Sequence, residues 1–223
     1  NRDGFGRFDR KTNSFEQIKL TYYDTEILNR QVNVIKNFVI DAQNKDKIWI
    51  VSLQALIEYD LKTGRTQVHP VAIKPNVKPR VESINQGIMG RDQKIYLTLK
   101  RHGIWVFDPK TIKWENFSMR PANPGNQYDN SFDLIHQTDD NTMWMAAQKS
   151  GLYQLNIVSG KIKPLFVQTD FSNEDPPQNI SAWNLNAPEG MWFATDKGIK
   201  LFNKQANQFK AFKFDTERAW LKN

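Results

Sequence analysis

The sequence predicts an all-β fold: a β-propeller of four-stranded antiparallel blades, incomplete, with about four to five blades of a larger propeller. Three observations predict this fold class. A unit of about 48 residues recurs along the chain, and each unit contains four short apolar runs. The runs are separated by turn segments rich in Asn, Asp and Gly, as hairpin connections require.

The most regular part of the repeat is a pair of strands that we call c and d. GFGRFDRKTNSFEQI begins at residue 4 and recurs with offsets of 51, 48, 48 and 47 residues as ALIEYDLKTGRTQVH, GIWVFDPKTIKWENF, GLYQLNIVSGKIKPL and GIKLFNKQANQFKAF. Glycine opens strand c in four of the five copies, where a tight bend would exclude a side chain. These glycines are Gly4, Gly103, Gly151 and Gly198, and Ala55 is the departure.

The two preceding blocks supply strands a and b. Strand b reads IWIVS, IYLTL, MWMAA and MWFAT, near-continuous apolar runs that predict a strand covered on both faces. Its aromatic column, Trp49, Tyr96, Trp144 and Trp192, is expected in the core between blades, with stacking on a carbohydrate as the alternative. The innermost strand a comes from VIKNFVID, VESINQGI, FDLIHQTD and ISAWNLNA. A helical solenoid is disfavoured because no helical period is sustained.

The repeat phase predicts the blade boundaries. Residues 1–22 form the C-terminal half of a blade, strands c and d, and residues 215–223 begin the linker to a next blade. One blade each is predicted for 23–73, 74–120, 121–168 and 169–214. The terminal segments do not complement each other into one blade, so we expect further chain.

The amino-acid composition excludes several kinds of functional site. The 223 residues contain no cysteine, which excludes disulfides, thiol nucleophiles and CxxC zinc sites. The longest apolar stretches are far shorter than the roughly 20 residues of a transmembrane helix. The formal charge of +7 favours anionic partners, but the basic residues are scattered, so a basic solvated surface is the alternative.

One segment of the repeat resembles a known family. MWFATDKGIKLFN at 191–203 and MWMAAQKSGLYQLN at 143–156 are the best matches to the pattern W-I-x-T, then G-L-x-x-[FY]-[DN]. This pattern resembles the two-component regulator propeller repeat. KIWIVSLQALIEYD is a weaker match, and KIYLTLKRHGIWVFD diverges most.

The resemblance implies a function and a location. Such propellers form extracytoplasmic sensor parts of membrane-bound histidine kinases, hybrid two-component proteins and some diguanylate cyclases, and many are implicated in sensing polysaccharide fragments. It therefore implies a periplasmic or extracellular receptor segment, with a membrane anchor and signalling domains outside this chain. The remaining blades are implied partners, and a homodimer is possible. The repeat motif itself is structural and names no ligand.

The candidate ligand site is the propeller face formed by the loops from strand b to c and from strand d to the next strand a. These loops concentrate cations and hydrogen-bond donors that suit an oligosaccharide or another polar, possibly anionic ligand. Trp183 is added because its aligned partners in strand a, Asn37, Ile84 and Ile135, form no aromatic column. The predicted set is Arg80, Arg101, His102, Tyr128, Lys149, Trp183 and Lys197. The alternative for each is a solvated loop residue.

The sequence predicts no catalytic residues, no metal site and no cofactor. Its histidines, His69, His102 and His136, occupy different phases of the repeat and imply no shared site. Acidic clusters such as Asp139 and Asp140 coincide with hairpin turns, where Asp is common for backbone reasons.

Two other functions stay open at this stage. An interaction scaffold would hold a protein partner without a small ligand. A propeller lyase or glycosidase would need paired carboxylates or a histidine near the channel, and Glu82, Asp133 and His102 are available without a supporting motif. Nucleic acid is not an expected partner.

Overall fold

A computed structural model describes residues 5–18, 20, 34–71, 83–119, 130–147, 151–166, 180–188, 190–195, 198–203 and 208–211. The described residues form strands and turns. The strands are β1 (Phe5–Asp9), β2 (Ser14–Ile18), β3 (Ile35–Ile40), β4 (Lys47–Ser52), β5 (Ala55–Asp60), β6 (Thr66–Pro70), β7 (Ile84–Met89), β8 (Ile95–Leu99), β9 (Gly103–Asp108), β10 (Lys113–Phe117), β11 (Phe132–Asp139), β12 (Thr142–Ala147), β13 (Gly151–Asn156), β14 (Ile162–Phe166), β15 (Ile180–Ala187), β16 (Gly190–Thr195), β17 (Gly198–Asn203) and β18 (Gln208–Ala211).

These strands form four four-stranded sheets and one two-stranded sheet. Blade I is β3 to β6, blade II is β7 to β10, blade III is β11 to β14 and blade IV is β15 to β18, each in sequential order and antiparallel. Strands β1 and β2 pair as a half-blade. The predicted all-β propeller of four-stranded antiparallel blades is confirmed. The sheets fall inside the predicted blade ranges, but the boundary positions lie outside the described residues and stay predictions.

The hairpins between strands c and d are fixed by a short polar side chain at the end of strand c. Asp60 Oδ1 accepts hydrogen bonds from the backbone N–H of Lys62 at 2.9 Å and Thr63 at 2.7 Å. These hydrogen bonds lower the pKa of Asp60 because they favour its charged form. The equivalent side chains that bond the turn backbone are Asp9, Asp108 and Asn156.

The acidic clusters in the hairpins between strands a and b have the same role. Asp139 Oδ1 accepts a hydrogen bond from the N–H of Asn141 at 2.9 Å, and Asp41 Oδ1 accepts one from the N–H of Gln43 at 2.9 Å. These carboxylates therefore hold turns together, as the sequence predicts.

The hydrophobic core lies between blades, and strand b is at its centre. In β4, Trp49 and Val51 pack toward blade II, whereas Ile50 packs toward the half-blade. Trp49 is only 2% exposed, so its environment is core rather than ligand surface. The equivalent Tyr96 packs toward blade III and Trp144 toward blade IV, while Trp192 is half-buried. Trp49, Tyr96 and Trp144 therefore lie on the blade face that meets the following blade.

The innermost strands of neighbouring blades are joined by side-chain amides. Asn37 Nδ2 donates to the carbonyl of Gly87 at 2.7 Å, and Asn37 Oδ1 accepts from the N–H of Gly87 at 3.0 Å. One amide thus satisfies both backbone groups of a residue in the next blade. Gln86 acts similarly between blades II and III, where its Oε1 accepts from the N–H of Ile135 at 2.8 Å.

The glycines that open strand c have left-handed backbones: φ is +72° at Gly103, +106° at Gly151 and +90° at Gly198. At Gly103 a Cβ atom would also lie 2.3 Å from the carbonyl oxygen of Phe117. Blade I has Ala55 in place of this glycine. Its turn between strands b and c is held by the Ser52 hydroxyl, which bonds both the N–H and the carbonyl of Ala55. Gly4 lies outside the described residues.

A buried histidine lies between blades I and II. His69 packs on Trp49 and Phe107, with ring centroids 5.7 and 4.6 Å away. Burial lowers the pKa of His69, and the carboxylate of Glu58, 3.9 Å from Nε2, opposes this only in part. Glu58 is itself paired with the Lys47 ammonium. The folded state therefore favours neutral His69.

We expect Gly103→Ala to destabilise the protein more than Gly198→Ala. Both substitutions impose a left-handed φ on a residue with a Cβ, which costs about 1–2 kcal/mol. At Gly103 the new Cβ also collides with a backbone carbonyl, whereas at Gly198 no atom of the described residues, chain neighbours aside, lies within 4 Å of it. Urea denaturation of both variants measures the difference. Equal losses of unfolding free energy would contradict the clash.

We also expect the unfolding free energy to fall as the pH drops below about 6.5, the ordinary pKa of histidine. The unfolded chain then binds a proton that folded His69 takes up only at lower pH. Denaturation midpoints between about pH 7 and pH 5 test this, and His69→Phe should flatten the decline. His136, whose pKa burial and Arg91 also lower, accounts for a further part, so His136→Phe is the comparison variant. An unchanged slope in His69→Phe would refute the role of His69.

Candidate functional site

Each innermost strand of the four blades contains a β-bulge near its start. The pairing with strand b shifts between Ile35 and Asn37, Ile84 and Gln86, Phe132 and Leu134, and Ile180 and Ala182. One residue per blade is left out of the ladder. We call these four residues, Lys36, Asn85, Asp133 and Ser181, the bulge ring.

The local sequence explains why the bulges form there. The residue before each bulge is apolar and packs into an inter-blade core, as Ile84, Phe132 and Ile180 show by being 0%, 0% and 7% exposed. The next residue is polar in every blade. A bulge lets the apolar side chain stay in the core and directs the polar one elsewhere. The bulge ring therefore lies on the inner strands, at the end where strand a begins.

Two members of the bulge ring are in direct contact. Asn85 Nδ2 donates to Asp133 Oδ1 at 3.0 Å and to the carbonyl of Phe132 at 2.9 Å. This amide joins blade II to blade III. Among the described residues, Asn85 Oδ1 and Asp133 Oδ2 take part in neither of these two bonds.

Burial and two lysines have opposite effects on the pKa of Asp133. Burial raises the pKa of Asp133, and the positive charges of Lys100 and Lys36 act against this. Lys36 belongs to the bulge ring, and Lys100 follows β8 at the start of the loop from strand b to c. Lysines of two other blades thus counteract the effect of burial on this carboxyl group. Such a shifted pKa is a common property of functional sites.

The bulge ring offers a mixed set of polar groups to a ligand. It contains one ammonium, one amide, one carboxyl and one hydroxyl group, and the Ser181 hydroxyl donates to the carbonyl of Ala194 at 3.2 Å. Such a set suits a ligand rich in hydroxyl groups, which both donate and accept hydrogen bonds. In the described part of the chain, no group of three or more His, Asp or Glu side chains is arranged to hold a metal ion.

The loop residues predicted from sequence are placed only in part. Arg101 is exposed, has φ of +68° and donates its N–H to the Ser131 hydroxyl at 2.9 Å. His102 is half-buried, and its carbonyl accepts from Asn116 Nδ2 at 2.8 Å. Both lie in the loop between β8 and β9 that follows Lys100. The predicted residues Arg80, Tyr128, Lys149 and Lys197 lie outside the described residues.

Asn130, in the loop from strand d of blade II to strand a of blade III, has a structural role. Its Nδ2 donates to the carbonyl of Met119 at 2.9 Å, and its Oδ1 accepts from the Met119 N–H at 2.5 Å. Asn130 is only 8% exposed. Its amide therefore closes the loop from strand d to strand a.

The strand register corrects the sequence alignment of Trp183. Trp183 lies opposite Phe193, and the equivalent positions are Phe38, Gly87 and Ile135 rather than Asn37, Ile84 and Ile135. Phe38 is aromatic and packs edge-to-face on Phe5 at 5.4 Å. Trp183 is half-buried and packs similarly on Phe193 at 6.3 Å. The sequence alignment was therefore wrong by one residue at Asn37 and by three residues at Ile84, and correct at Ile135.

Sequence reasoning missed Lys36, Asn85 and Ser181 and proposed Asp133 only for an enzyme. A signal was present: in each repeat a polar residue directly follows the apolar residue that opens strand a, in the pairs Ile35-Lys36, Ile84-Asn85, Phe132-Asp133 and Ile180-Ser181. Strands normally alternate apolar and polar residues, so a single such pair carries no information about a site. Only the recurrence of the pair in all four blades indicates a shared feature.

Comparison with known proteins gives structural relatives only. No family model and no curated protein matches the sequence. Among solved structures, the extracellular domain of BT4673 from B. thetaiotaomicron, a protein assigned to the one-component or hybrid two-component systems, matches 98% of this chain with a TM-score of 0.70 and 15% identity. The extracellular domain of BT3049 from the same organism, assigned to the hybrid two-component systems, matches 94% with a TM-score of 0.69 and 18% identity.

A third match is an enzyme. Virginiamycin B lyase from Staphylococcus aureus matches 96% of this chain with a TM-score of 0.64 and 15% identity. The chain spans about a quarter of the two extracellular domains, 26% and 27%, and 64% of the lyase.

The fold and the bulge ring thus define a propeller segment with a polar site on its inner strands. The chain shares this fold with the extracellular domains of two-component systems, which is the fold that the sequence resemblance implies. Among the described residues, no helix has the length and apolar character needed to span a bilayer.

We expect Lys100→Ala to raise the pKa of Asp133 further. The substitution removes one of the two positive charges that oppose the effect of burial. NMR titration of the Asp133 carboxyl carbon measures the change directly. Lys110→Ala, an exposed substitution in the hairpin after β9, is the control and should leave this titration unchanged. A pKa that stays constant or falls in Lys100→Ala would show that Lys100 does not act on Asp133.

Proposed function

We propose that the chain is part of the extracytoplasmic sensor propeller of a two-component-type receptor and that it recognises a polar ligand, an oligosaccharide or a related polyhydroxylated molecule. The similarity to extracellular domains of such systems over 94% to 98% of the chain carries this proposal. The repeat pattern of β16 and β17, which resembles the two-component regulator propeller, supports it independently.

The proposed location is periplasmic or extracellular, because the similar domains are extracellular. In this proposal the segment itself is non-catalytic, and any kinase or cyclase activity belongs to another domain. The receptor's membrane anchor and its signalling partners are likewise outside this chain.

The bulge ring is the proposed ligand site. Asn85 and Asp133 bring an amide and a carboxyl group from two blades within 3.0 Å of each other, and Lys36 and Lys100 add cations beside them. A ligand that bonds both Asn85 and Asp133 would contact blades II and III together. Occupancy would then favour one arrangement of these blades, as a sensor requires differential affinity for two states.

We expect Asp133→Asn and Lys36→Ala each to weaken saccharide binding by at least about tenfold, equivalent to about 1.4 kcal/mol. Each variant removes a charged partner that a hydroxyl-rich ligand would bond. The measurement is calorimetric titration of the purified protein against a panel of neutral and acidic oligosaccharides. Lys110→Ala is the matched control because it removes a lysine from an exposed hairpin away from the inner strands.

Two results would overturn this proposal. One is the absence of binding to any saccharide in the panel. The other is binding that both bulge-ring variants retain at the strength of the control.

A lyase is the second candidate, favoured by the similarity to virginiamycin B lyase and by the raised pKa of Asp133. A carboxyl group whose pKa is raised toward neutrality is a suitable general acid or base. However, Asp133 is the only carboxyl group in the bulge ring, whereas glycoside hydrolysis requires two. Product formation from a saccharide, abolished by Asp133→Asn without loss of binding, would establish this candidate in place of the sensor.

A further inference from the structure

The innermost strand of each blade has one edge that is not paired with another strand. Among the described strands, β15 of blade IV pairs with β16 only, just as β7 and β11 pair with one strand in their own sheets. The backbone groups on the other edge of β15 point away from strand b, toward the axis of the propeller. A backbone N–H or carbonyl on such an edge needs a partner from a side chain, water or a ligand.

Side-chain amides provide this partner at the first two junctions between blades. Asn37 of blade I bonds both the N–H and the carbonyl of Gly87 in blade II, at 3.0 and 2.7 Å. Gln86 of blade II accepts a hydrogen bond from the N–H of Ile135 in blade III at 2.8 Å. Asn37 and Gln86 are equivalent, since each is the first paired residue after the bulge of its strand. An amide at this position therefore bonds the inner edge of the next blade.

The junction between blades III and IV lacks such an amide. Leu134 occupies the equivalent position in blade III, because it is the first paired residue after the bulge of β11. Its side chain packs on the core between blades III and IV and has no hydrogen-bonding group. In blade IV the residue equivalent to Gly87 and Ile135 is Trp183. Within the described part of the chain, no side chain bonds the backbone N–H or carbonyl of Trp183.

Members of the bulge ring lie on both sides of this junction. Asp133 directly precedes Leu134 in blade III, and Ser181 is two residues before Trp183 in blade IV. Two residues of a strand span about 7 Å. A ligand that bonds the bulge ring can therefore reach the edge of Trp183 without leaving the inner strands.

The contact between Asn37 and Gly87 shows which chemistry suits this edge. The carboxamide of Asn37 presents one acceptor and one donor side by side, and these meet the N–H and the carbonyl of a single residue. A vicinal diol of a sugar presents the same pair, because one hydroxyl accepts a hydrogen bond while its neighbour donates one. A carboxylate lacks the donor, and an ammonium group lacks the acceptor. The edge of Trp183 therefore favours a pair of neighbouring hydroxyl groups.

We propose that the Trp183 backbone binds a vicinal pair of hydroxyl groups of the oligosaccharide, in the way that the Gly87 backbone binds Asn37. This inference rests on the proposed sensor function and extends its site from the bulge ring to the inner edge of blade IV. The bound sugar supplies at this junction the polar contact that side chains supply at the other two. Ligand binding therefore stabilises the contact between blades III and IV.

The first test needs no ligand. We expect the amide proton of Trp183 to exchange with solvent at least about tenfold faster than those of Gly87 and Ile135, each relative to the intrinsic rate of its residue type. The reason is that side-chain amides bond the N–H groups of Gly87 and Ile135. NMR-detected hydrogen exchange of the full chain measures all three. Equal protection of Trp183 would overturn the proposal, because its N–H would already have a partner.

The second test is NMR titration of the full chain with three probes: cellotriose, mannotriose and a galacturonic acid trisaccharide. We expect a probe that binds to slow the exchange of the Trp183 amide proton at least about tenfold. The same probe, after periodate cleavage and borohydride reduction, keeps its hydroxyl groups but loses its vicinal diols and should give no such protection. A probe that binds without protecting Trp183, or cleaved probe that still protects it, would overturn this inference alone. If none of the probes binds, the proposed function fails with it.

A substitution at Leu134 completes the test. Leu134→Gln introduces the amide that Gln86 provides at the preceding junction, and this amide competes with the sugar for the same backbone groups. We expect it to protect Trp183 in the free protein and to weaken probe binding at least about tenfold. Leu134→Met, the apolar match, should change binding less than about twofold. Protection of Gly87, at a different junction, shows that each variant is folded. Full probe affinity in Leu134→Gln together with a protected Trp183 would overturn the proposal.

Discussion

The fold depends on covering strand b on both faces. Each strand b is a mostly apolar run with apolar side chains on both faces, so a single sheet would expose half of them to water, at a cost of about 25 cal/mol per Å². Trp49 and Ile50 of β4 show the solution, because they are adjacent in sequence and enter the cores on opposite sides of blade I. A blade therefore needs a neighbour on each side, and this need generates the radial arrangement.

Polar contacts then decide how neighbouring blades align. Burial alone does not specify the relative height of two sheets, since apolar contact is non-directional. The amide of Asn37 satisfies both backbone groups of Gly87, and Gln86 bonds the N–H of Ile135 in the following blade. These directional bonds fix the inner strands against each other where the bulge ring lies. The geometry of the candidate site thus depends on contacts between blades.

The sequence was sufficient for the fold because the signals repeat. The aromatic column of strand b, the turn residues such as Asp60 and the glycines such as Gly103 recur with the blade, and each has a local physical cause. The candidate site was harder to predict from the sequence. Whether a residue such as Lys36 occupies a bulge depends on pairing with another strand, and spacing alone assigned Trp183 to the wrong column.

The bulges make one position in each blade independent of the sheet. The four bulge-ring residues are unpaired in the strand ladder. Their side chains differ widely in size and charge on a common backbone: Lys36, Asn85, Asp133 and Ser181. Exchanging these residues would leave the strand pairing itself intact, although Asn85 also bonds the carbonyl of Phe132 in blade III. In the proposed function, each of the four blades therefore offers one variable position, and protein engineering can combine different side chains there to change ligand preference.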